Sequence, residues 1–375
     1  MDIDETDEQR RTRTAFTRWL GEVLPADYGD GSPYSGDWDL RRSYQRAAFE
    51  AGWLLPAWPV GLGGRGLGPL EALAVQLESA RRSVPRLYGP SSVHVVAPAI
   101  RKLGTPEQQD AYLVPMLRGD VRWCLGMSEP GAGSDFAGLQ TAAVRVDDAY
   151  VVNGQKIWTS QAHWCTYTML YCRTDRDAPR HRGISCLVVD LRSPGVTVRP
   201  IGMATGKDEQ FCEVFFDDVV VPVEHLLGVE NDGWAVAMSA LEAERHMLWI
   251  MAWAQVERAL HRVVERAGDT RLPDDLAIEL GRSVADSYAL GFTGWRAVTN
   301  QRRDRRSPET SIQKLLGSET LLRISTLTDD LVGADALVEP DLFEAEIDAL
   351  AAATYGGTSE VQRTIIGERS LGLPK

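Results

Sequence analysis

The feature that most constrains this chain is a change of period along it. From about residue 118 to 225, short apolar and β-branched runs follow one another: AAVRVDD, AYVVNG, YTMLYCR, ISCLVVDL, GVTVRPI and CEVFFDDVVV. Turn residues separate them at short intervals, the mark of successive strands. On either side the period is three to four. EALAVQLESARRSV and PAIRKLGTPEQQDAYLVPMLRG carry apolar residues at helical spacing. Thr105 followed by Pro106 reads as an N-cap with proline at the first helical position. Beyond 225, helices are expected over Gly233–Arg266 and Leu276–Arg302, from near Ser311, and after Gly357. Helix, sheet, helix in chain order predicts an α+β protein. Its expected parts are an N-terminal helical domain (1–117), a middle antiparallel β domain (118–225) built as a small barrel or sandwich, and a C-terminal helical bundle domain (226–375). Asn153-Gly154 carries a hairpin signal.

Charge and cysteine usage remove several function classes. The chain of 375 residues has 40 basic and 53 acidic side chains, a net charge of −13. Phosphate contacts need a basic surface, so no nucleic-acid partner is expected. No apolar run reaches the roughly 18 residues of a membrane helix. The N-terminal MDIDETDEQRR lacks the apolar segment of a signal peptide. Cys124, Cys165, Cys172, Cys186 and Cys212 are odd in number and lack metal-type spacing. That suits a reduced, cytoplasmic protein without a metal site. The cluster Arg302, Arg303, Arg305 and Arg306 reads as a solvated helix end.

Four segments have the composition of ligand loops. Gly61–Gly66 (GLGGRG) matches G-x-G-x-x-G, but that motif needs a preceding strand, and Pro56 and Pro59 break one. It reads as a plain loop. In Gly126–Asp135 (GMSEPGAGSD), glycines let backbone amides approach a ligand, and the hydroxyls suit a phosphate or a polar ring edge. A surface turn fits equally. Gln155–Ser160 (QKIWTS) sets an indole beside hydroxyls at a strand end, either over an aromatic cofactor or in the core. Tyr355–Glu360 (YGGTSE) is a helix start, where amides and the positive dipole end attract phosphate.

Taken together, SEPGAGSD, NGQKIWTS and YGGTSEVQR..IIGER.LGLP resemble the acyl-CoA dehydrogenase family in order and spacing. WCLGMSEP, EVFFDDVVVP, GW.VAM..L..ER and P..S..K extend the resemblance from about Trp53 to Pro374. It implies an N-terminal helical domain, a middle β domain and a C-terminal four-helix bundle, with FAD between the last two. Leu125, Met127 and Ser128 would line the flavin ring. Ser134 would serve the diphosphate side or the CoA portion of the substrate. Trp158 would cover the flavin and the Ser160 hydroxyl would face its N5. Thr358 would bind the FAD diphosphate, and Glu360 stands where the family often has Gln.

The implied reaction removes an α-proton and a β-hydride from an acyl thioester, which requires a carboxylate base and donors on the thioester oxygen. Many family members place the base directly after the Tyr of the last motif, where this chain has Gly356. Its amide can still donate to the thioester oxygen. Isovaleryl- and long-chain-type members place Glu on a bundle helix, in L..ER, and Glu244 matches. Periodicity favours the same residue. Ala237, Leu241, Glu244, Leu248 and Met251 share one face, on which Glu244 is the single charge. Arg245 would place or pair the CoA portion. His163 and His246 read as structural, and Trp249, Trp253 and Tyr355 as residues able to shape a pocket.

The chain departs from the family at R..FG and Q..GG.G, which usually reach the FAD of a neighbouring subunit. ERAGDTRLPDD and LVGADALVEPD stand in their places. The leading expectation is FAD-dependent α,β-dehydrogenation of an acyl-CoA or an acyl- or peptidyl-carrier protein, with electrons passing to an electron-transfer flavoprotein. Arg302 to Arg306 is the candidate docking patch for a carrier protein. The expected assembly is a homo-oligomer (dimer or tetramer) or a heteromer with a related subunit. The alternatives are a non-catalytic or half-site subunit of a heteromer and a flavin-dependent oxidase or oxygenase on the same fold.

Overall fold

A computed structural model describes residues 5–25, 28, 37–205, 210–269, 271–302 and 309–374, with backbone only for 242–248, 301–302, 337 and 341. The chain divides into two compact units between Glu244 and Arg245. The first opens with helices α1 (Asp7–Val23), α2 (Trp38–Glu50), α3 (Pro69–Arg81), α4 (Ala97–Leu103) and α5 (Pro106–Leu117). Thr105 caps α5 in a full capping box: its hydroxyl accepts from the Gln108 amide while the Gln108 side chain accepts from the Thr105 amide. Phe16, Leu20, Tyr44, Trp53 and Val75 join α1, α2 and α3 in one small core. Gly61–Gly66 is a tight loop rather than a nucleotide motif. A Cβ on Gly64 would come within 2.0 Å of the Trp58 carbonyl oxygen.

Eight strands follow: β1 (Trp123–Gly126), β2 (Ala142–Val146), β3 (Ala149–Ser160), β4 (Tyr167–Arg173), β5 (Ile184–Asp190), β6 (Val196–Pro200), β7 (Phe211–Pro222) and β8 (Leu226–Leu227). They form one sheet in the order β6-β7-β3-β2-β4-β5-β8, with β1 on β4. The runs in β4 and β5 show no alternation because both faces are covered. Met169, Tyr171, Cys186 and Val188 face a core shared with α4 and α5, whereas Leu170, Cys172, Leu187 and Val189 face one shared with β3 and β7.

Two expectations need correction. The sheet is antiparallel except along β4, which runs parallel to β1 from Trp123↔Tyr167 to Gly126↔Leu170 and touches β2 in parallel at Ala142↔Arg173. The β2–β3 hairpin lies between β1 and β4 in the chain, so a long connection, not a tight turn, joins that pair. Asn153-Gly154 is not a turn either. The hairpin turns at Asp147-Asp148, with Asp147 at φ +51°. Gly154 lies within β3 at a register irregularity opposite β7, where a Cβ would meet three Thr141 atoms at 2.6–2.8 Å. The glycine there serves close backbone approach.

Helix α6 (Gly233–Ala267) starts in the first unit, where Val236, Ala237 and Ala240 are buried. In the second unit the rest of α6 shares a core with α7 (Asp274–Arg302) and α8 (Glu309–Val332), through Val256, Val263, Leu290, Ile324 and Leu327. Both α9 (Pro340–Ala352) and α10 (Ser359–Ile365) pack on α8. Trp249 and Trp253 stack at 6.3 Å and belong to this packing. Gly294 of α7 lies directly beneath Trp249, since a Cβ there would fall 2.2 Å from the ring. Gly294→Ala should therefore cost about 1–3 kcal/mol by overpacking. Trp249→Leu should relieve it in the double variant, as read by urea unfolding; strict additivity of the two would contradict this.

Candidate active site

The site begins where β1 ends. After Gly126 the chain turns at Glu129–Ala132, whose amides and carbonyls exchange two hydrogen bonds of 3.0 Å. The Glu129 carboxylate points inward. It accepts from the backbone amides of Gln140 at 2.6 Å and Thr141 at 2.9 Å, and from Lys156 Nζ at 2.8 Å. Lys156 is fully buried, and its Nζ also donates to the Met127 carbonyl at 3.1 Å. Burial raises the Glu129 carboxyl, but the Lys156 charge and the hydrogen bonds outweigh it and leave it below its ordinary value. Burial lowers the Lys156 amine, partly offset by Glu129. The Ile157 amide donates to the Ser128 carbonyl at 2.9 Å. The two segments singled out in the sequence are thus bound to each other.

This link also places Trp158. The β3–β7 register breaks between Lys156 and Thr159, and Trp158 sits at φ +58°. An indole in left-handed backbone is strained, a condition that clusters at functional sites. Trp158 is 55% exposed, and its ring meets Phe211 edge-on at 6.1 Å. Gln161, at φ +55°, closes the segment. Leu125, Met127 and Ser128 are half-buried, whereas Ser134 and Ser160 are exposed. A projecting indole on a strand tied to the Met127–Ser128 segment, with exposed hydroxyls on both segments, fits a flat aromatic cofactor with a polar edge. His163 packs on Trp164, with Nδ1 3.1 Å from Cys212 Sγ, in keeping with a structural role.

Glu244 and Arg245 lie on α6, and their side chains are outside the described residues, as is that of His246. The stripe proposed for Glu244 is less uniform than the sequence suggested. Ala237 is buried and Leu241 half-buried, but Met251 is 40% exposed. A helix period shows which residues share a face but not where along the helix that face leaves the core. Beyond Arg302, whose side chain is also not described, the basic cluster through Arg306 lies outside the described residues.

In the C-terminal segment Tyr355 is 55% exposed, and Gly356 and Gly357 take φ +67° and +91°. Thr358 caps α10, accepting from the Val361 amide at 3.3 Å. Glu360 is exposed, and its own amide and the Thr358 hydroxyl hold its carboxyl below the ordinary value. Beneath the glycines lies Lys314, the last residue of the P..S..K pattern. Its Nζ donates to the Ala352 carbonyl at 2.9 Å, and its Cε is 3.9 Å from where a Gly356 Cβ would stand. Thr358→Ala should lose the cap, about 1 kcal/mol, and weaken FAD retention, as read by urea unfolding and flavin titration. Unchanged flavin affinity would remove Thr358 from the cofactor site.

Three family descriptions cover the chain. The N-terminal domain of acyl-CoA dehydrogenase matches residues 6–120, the middle domain 124–219 and the C-terminal domain 231–371. The chain belongs to the acyl-CoA dehydrogenase family. Its relatives include the acyl-CoA dehydrogenase IpdE1 of Mycolicibacterium smegmatis (strain ATCC 700084 / mc(2)155), 34% identical over 98% of each chain. Among solved structures, the Tcur3481-Tcur3483 steroid ACAD is 28% identical, with a TM-score of 0.85 over the whole of both chains. The ChsE4-ChsE5 complex from Mycobacterium tuberculosis is 30% identical, with a TM-score of 0.84 over the whole of both. As an acyl-CoA dehydrogenase, this protein is an oxidoreductase acting on a CH–CH bond. Where other members carry R..FG, it has the connection between α6 and α7. Where they carry Q..GG.G, α8 ends and the chain turns through Gly333 at φ +67°.

Proposed function

We propose that this acyl-CoA dehydrogenase introduces a double bond between Cα and Cβ of a bulky, ring-bearing acyl-CoA, using FAD. Bound FAD supplies the hydride acceptor. Glu244 takes the α-proton. The Gly356 amide donates to the thioester oxygen, stabilising the charge that develops there. Met127, Ser128 and Ser160 border the flavin ring and Trp158 shields it, while Thr358 holds the diphosphate and Ser134 and Arg245 receive the CoA portion. Electrons leave for an electron-transfer flavoprotein. A reduced cytoplasmic setting accords with five free cysteines, and no described helix is long and apolar enough to cross a membrane.

The observation that carries this reading is the buried Lys156–Glu129 link, which unites the two segments bearing the flavin-facing residues. The ring-bearing substrate rests on two points. One structural relative is a steroid ACAD. Gly356, standing where many members have a carboxylate, carries no side chain, and a Cβ there would make only an ordinary contact, with Lys314 Cε at 3.9 Å. Incubation with a steroid side-chain acyl-CoA, a short linear acyl-CoA and an artificial electron acceptor tests it. The steroid thioester should lose two hydrogens by mass spectrometry at least ten-fold faster, a difference of about 1.4 kcal/mol in the barrier. Equal or reversed rates would remove the substrate claim.

A second reading, a half-site subunit completed by a related chain, is favoured by the missing R..FG and Q..GG.G. Flavin-free protein that gains FAD only when a related chain is co-expressed would establish it over the first.

A further inference from the structure

Arg41 on α2 and Arg122, directly before β1, are buried without a carboxylate paired to either. Arg41 is 7% exposed and Arg122 4%. A guanidinium so far out of water is ordinarily paired with an acid. Among the described residues neither forms an ion pair, and the Nε of each is buried with no hydrogen-bond partner. The Arg122 side chain donates only from Nη2, to the Gln161 side-chain oxygen. Asp37 is the acid that acts on Arg41, but its carboxylate accepts from the Leu40 amide at 2.8 Å to cap α2. It weighs less on Arg41 than the like charges of Arg86 and Arg122. Burial, then those two charges, push the Arg41 guanidinium below its ordinary value.

Aromatic rings hold the pair in place. Arg41 stands 4.6 Å from the centre of the Trp38 ring. Arg122 stands 4.7 Å from the same ring, 4.6 Å from Tyr88 and 5.5 Å from Trp164. These contacts offset part of the cost of burial. A guanidinium stacked on a ring keeps its N–H groups in its own plane, pointing past the ring edge. A planar carboxylate suits that fork, because both its oxygens can accept from one guanidinium. Its charge would also relieve the repulsion between the two arginines. Trp38, Tyr88 and Trp164 are each half-buried, so the cluster reaches the surface. It is also tied to the candidate active site. Gln161 directly follows Ser160, and β1 runs from Arg122 toward Met127 and Ser128.

We propose that Arg41 and Arg122 bind a carboxylate group, carried either by the acyl chain of the thioester or by a free carboxylic acid. The first source rests on the acyl-CoA reading above. The site does not, and binding rather than turnover tests it, so its failure leaves that reading standing.

The test is calorimetric titration of the full-length, FAD-loaded protein with succinate, with succinamide as its neutral counterpart. Succinate should bind at least ten-fold more tightly than succinamide. Arg41→Met keeps a long stem against Trp38 and removes the charge; Arg122→Lys keeps the charge and removes the fork. Each should weaken succinate at least ten-fold. Urea unfolding separates a binding role from a structural one. Succinate should raise the midpoint of the parent. Arg41→Met should unfold without succinate at the parent's midpoint or above it, since a buried like charge is gone, and should lose the succinate-induced rise. Displacement of succinate by adipyl-CoA but not by hexanoyl-CoA would assign the carboxylate to the acyl chain. Displacement by neither would assign it to a free acid. Equal affinity for succinamide, undiminished binding in both variants, displacement by hexanoyl-CoA, or a lowered midpoint in Arg41→Met would overturn the proposal.

Discussion

Glu244→Gln should lower the rate of flavin reduction by acyl-CoA about a thousand-fold, near the middle of the range for loss of a general base. Substrate binding should be nearly unchanged, since Gln keeps the shape and loses only the capacity to accept the proton. Chemistry should fall while the dissociation constant holds. An independent readout is exchange of the α-proton of a bound, non-oxidisable acyl-CoA with deuterated solvent. The native protein should catalyse it and the variant should not. If Glu244→Gln retains exchange and reduction within ten-fold, the base lies elsewhere and the match of L..ER to this chain is accidental. Glu242, two residues earlier on α6, would be the next residue to replace.

Lys156→Met should have the largest effect on stability of any single change at the site. It removes the partner of a buried carboxylate that already accepts two backbone amides. Breaking one side of a buried pair costs about 3–5 kcal/mol, most of it the penalty of leaving the other charge unpaired. The variant should also lose FAD, because the Met127 carbonyl and the Ser128–Ile157 contact depend on the same link. Adding Glu129→Gln to Lys156→Met should recover part of the loss, since Gln carries no charge and its single carbonyl oxygen still accepts from one of the two amides. Urea unfolding of the four proteins with and without flavin gives the cycle. Full additivity, or a Lys156→Met protein as stable and as yellow as the parent, would contradict this account. The pH dependence follows from Glu129. Its native pKa is lowered, so its contribution is complete above the ordinary carboxylate range and is lost as pH falls through the lowered native value. Glu129→Gln should flatten that acid limb of the stability curve.

Much of the fold was legible because it rests on period. The three- and four-residue spacing of α3 and α5, the cap at Thr105 and the β-branched runs of the sheet are local signals, and the structure follows them. What escaped the sequence is set by pairing between distant segments. Asn153-Gly154 looks like a hairpin turn, yet Thr141 on the neighbouring strand is what requires the glycine. Glu129 and Lys156 are 27 residues apart, and nothing local marks either as buried. Two signals were present: a glutamate inside a glycine-rich loop, and a lysine at an inward position of an alternating strand. Trp158 was singled out as a flat apolar surface, but its left-handed backbone comes from a register break that only β7 reveals. Trp249 and Trp253 were read as pocket residues because they are large. Gly291 and Gly294 on α7 leave room for their rings within the bundle, a fit no local pattern shows.

This chain, carrying FAD, is expected to oxidise an acyl-CoA. The most direct test is the visible spectrum of the purified full-length protein, recorded anaerobically before and after addition of acyl-CoAs that include a steroid side-chain thioester. A flavin absorption band should bleach on addition of at least one member, with loss of two hydrogens from that thioester. A flavin band that no acyl-CoA bleaches, in protein shown to bind those acyl-CoAs, would contradict it.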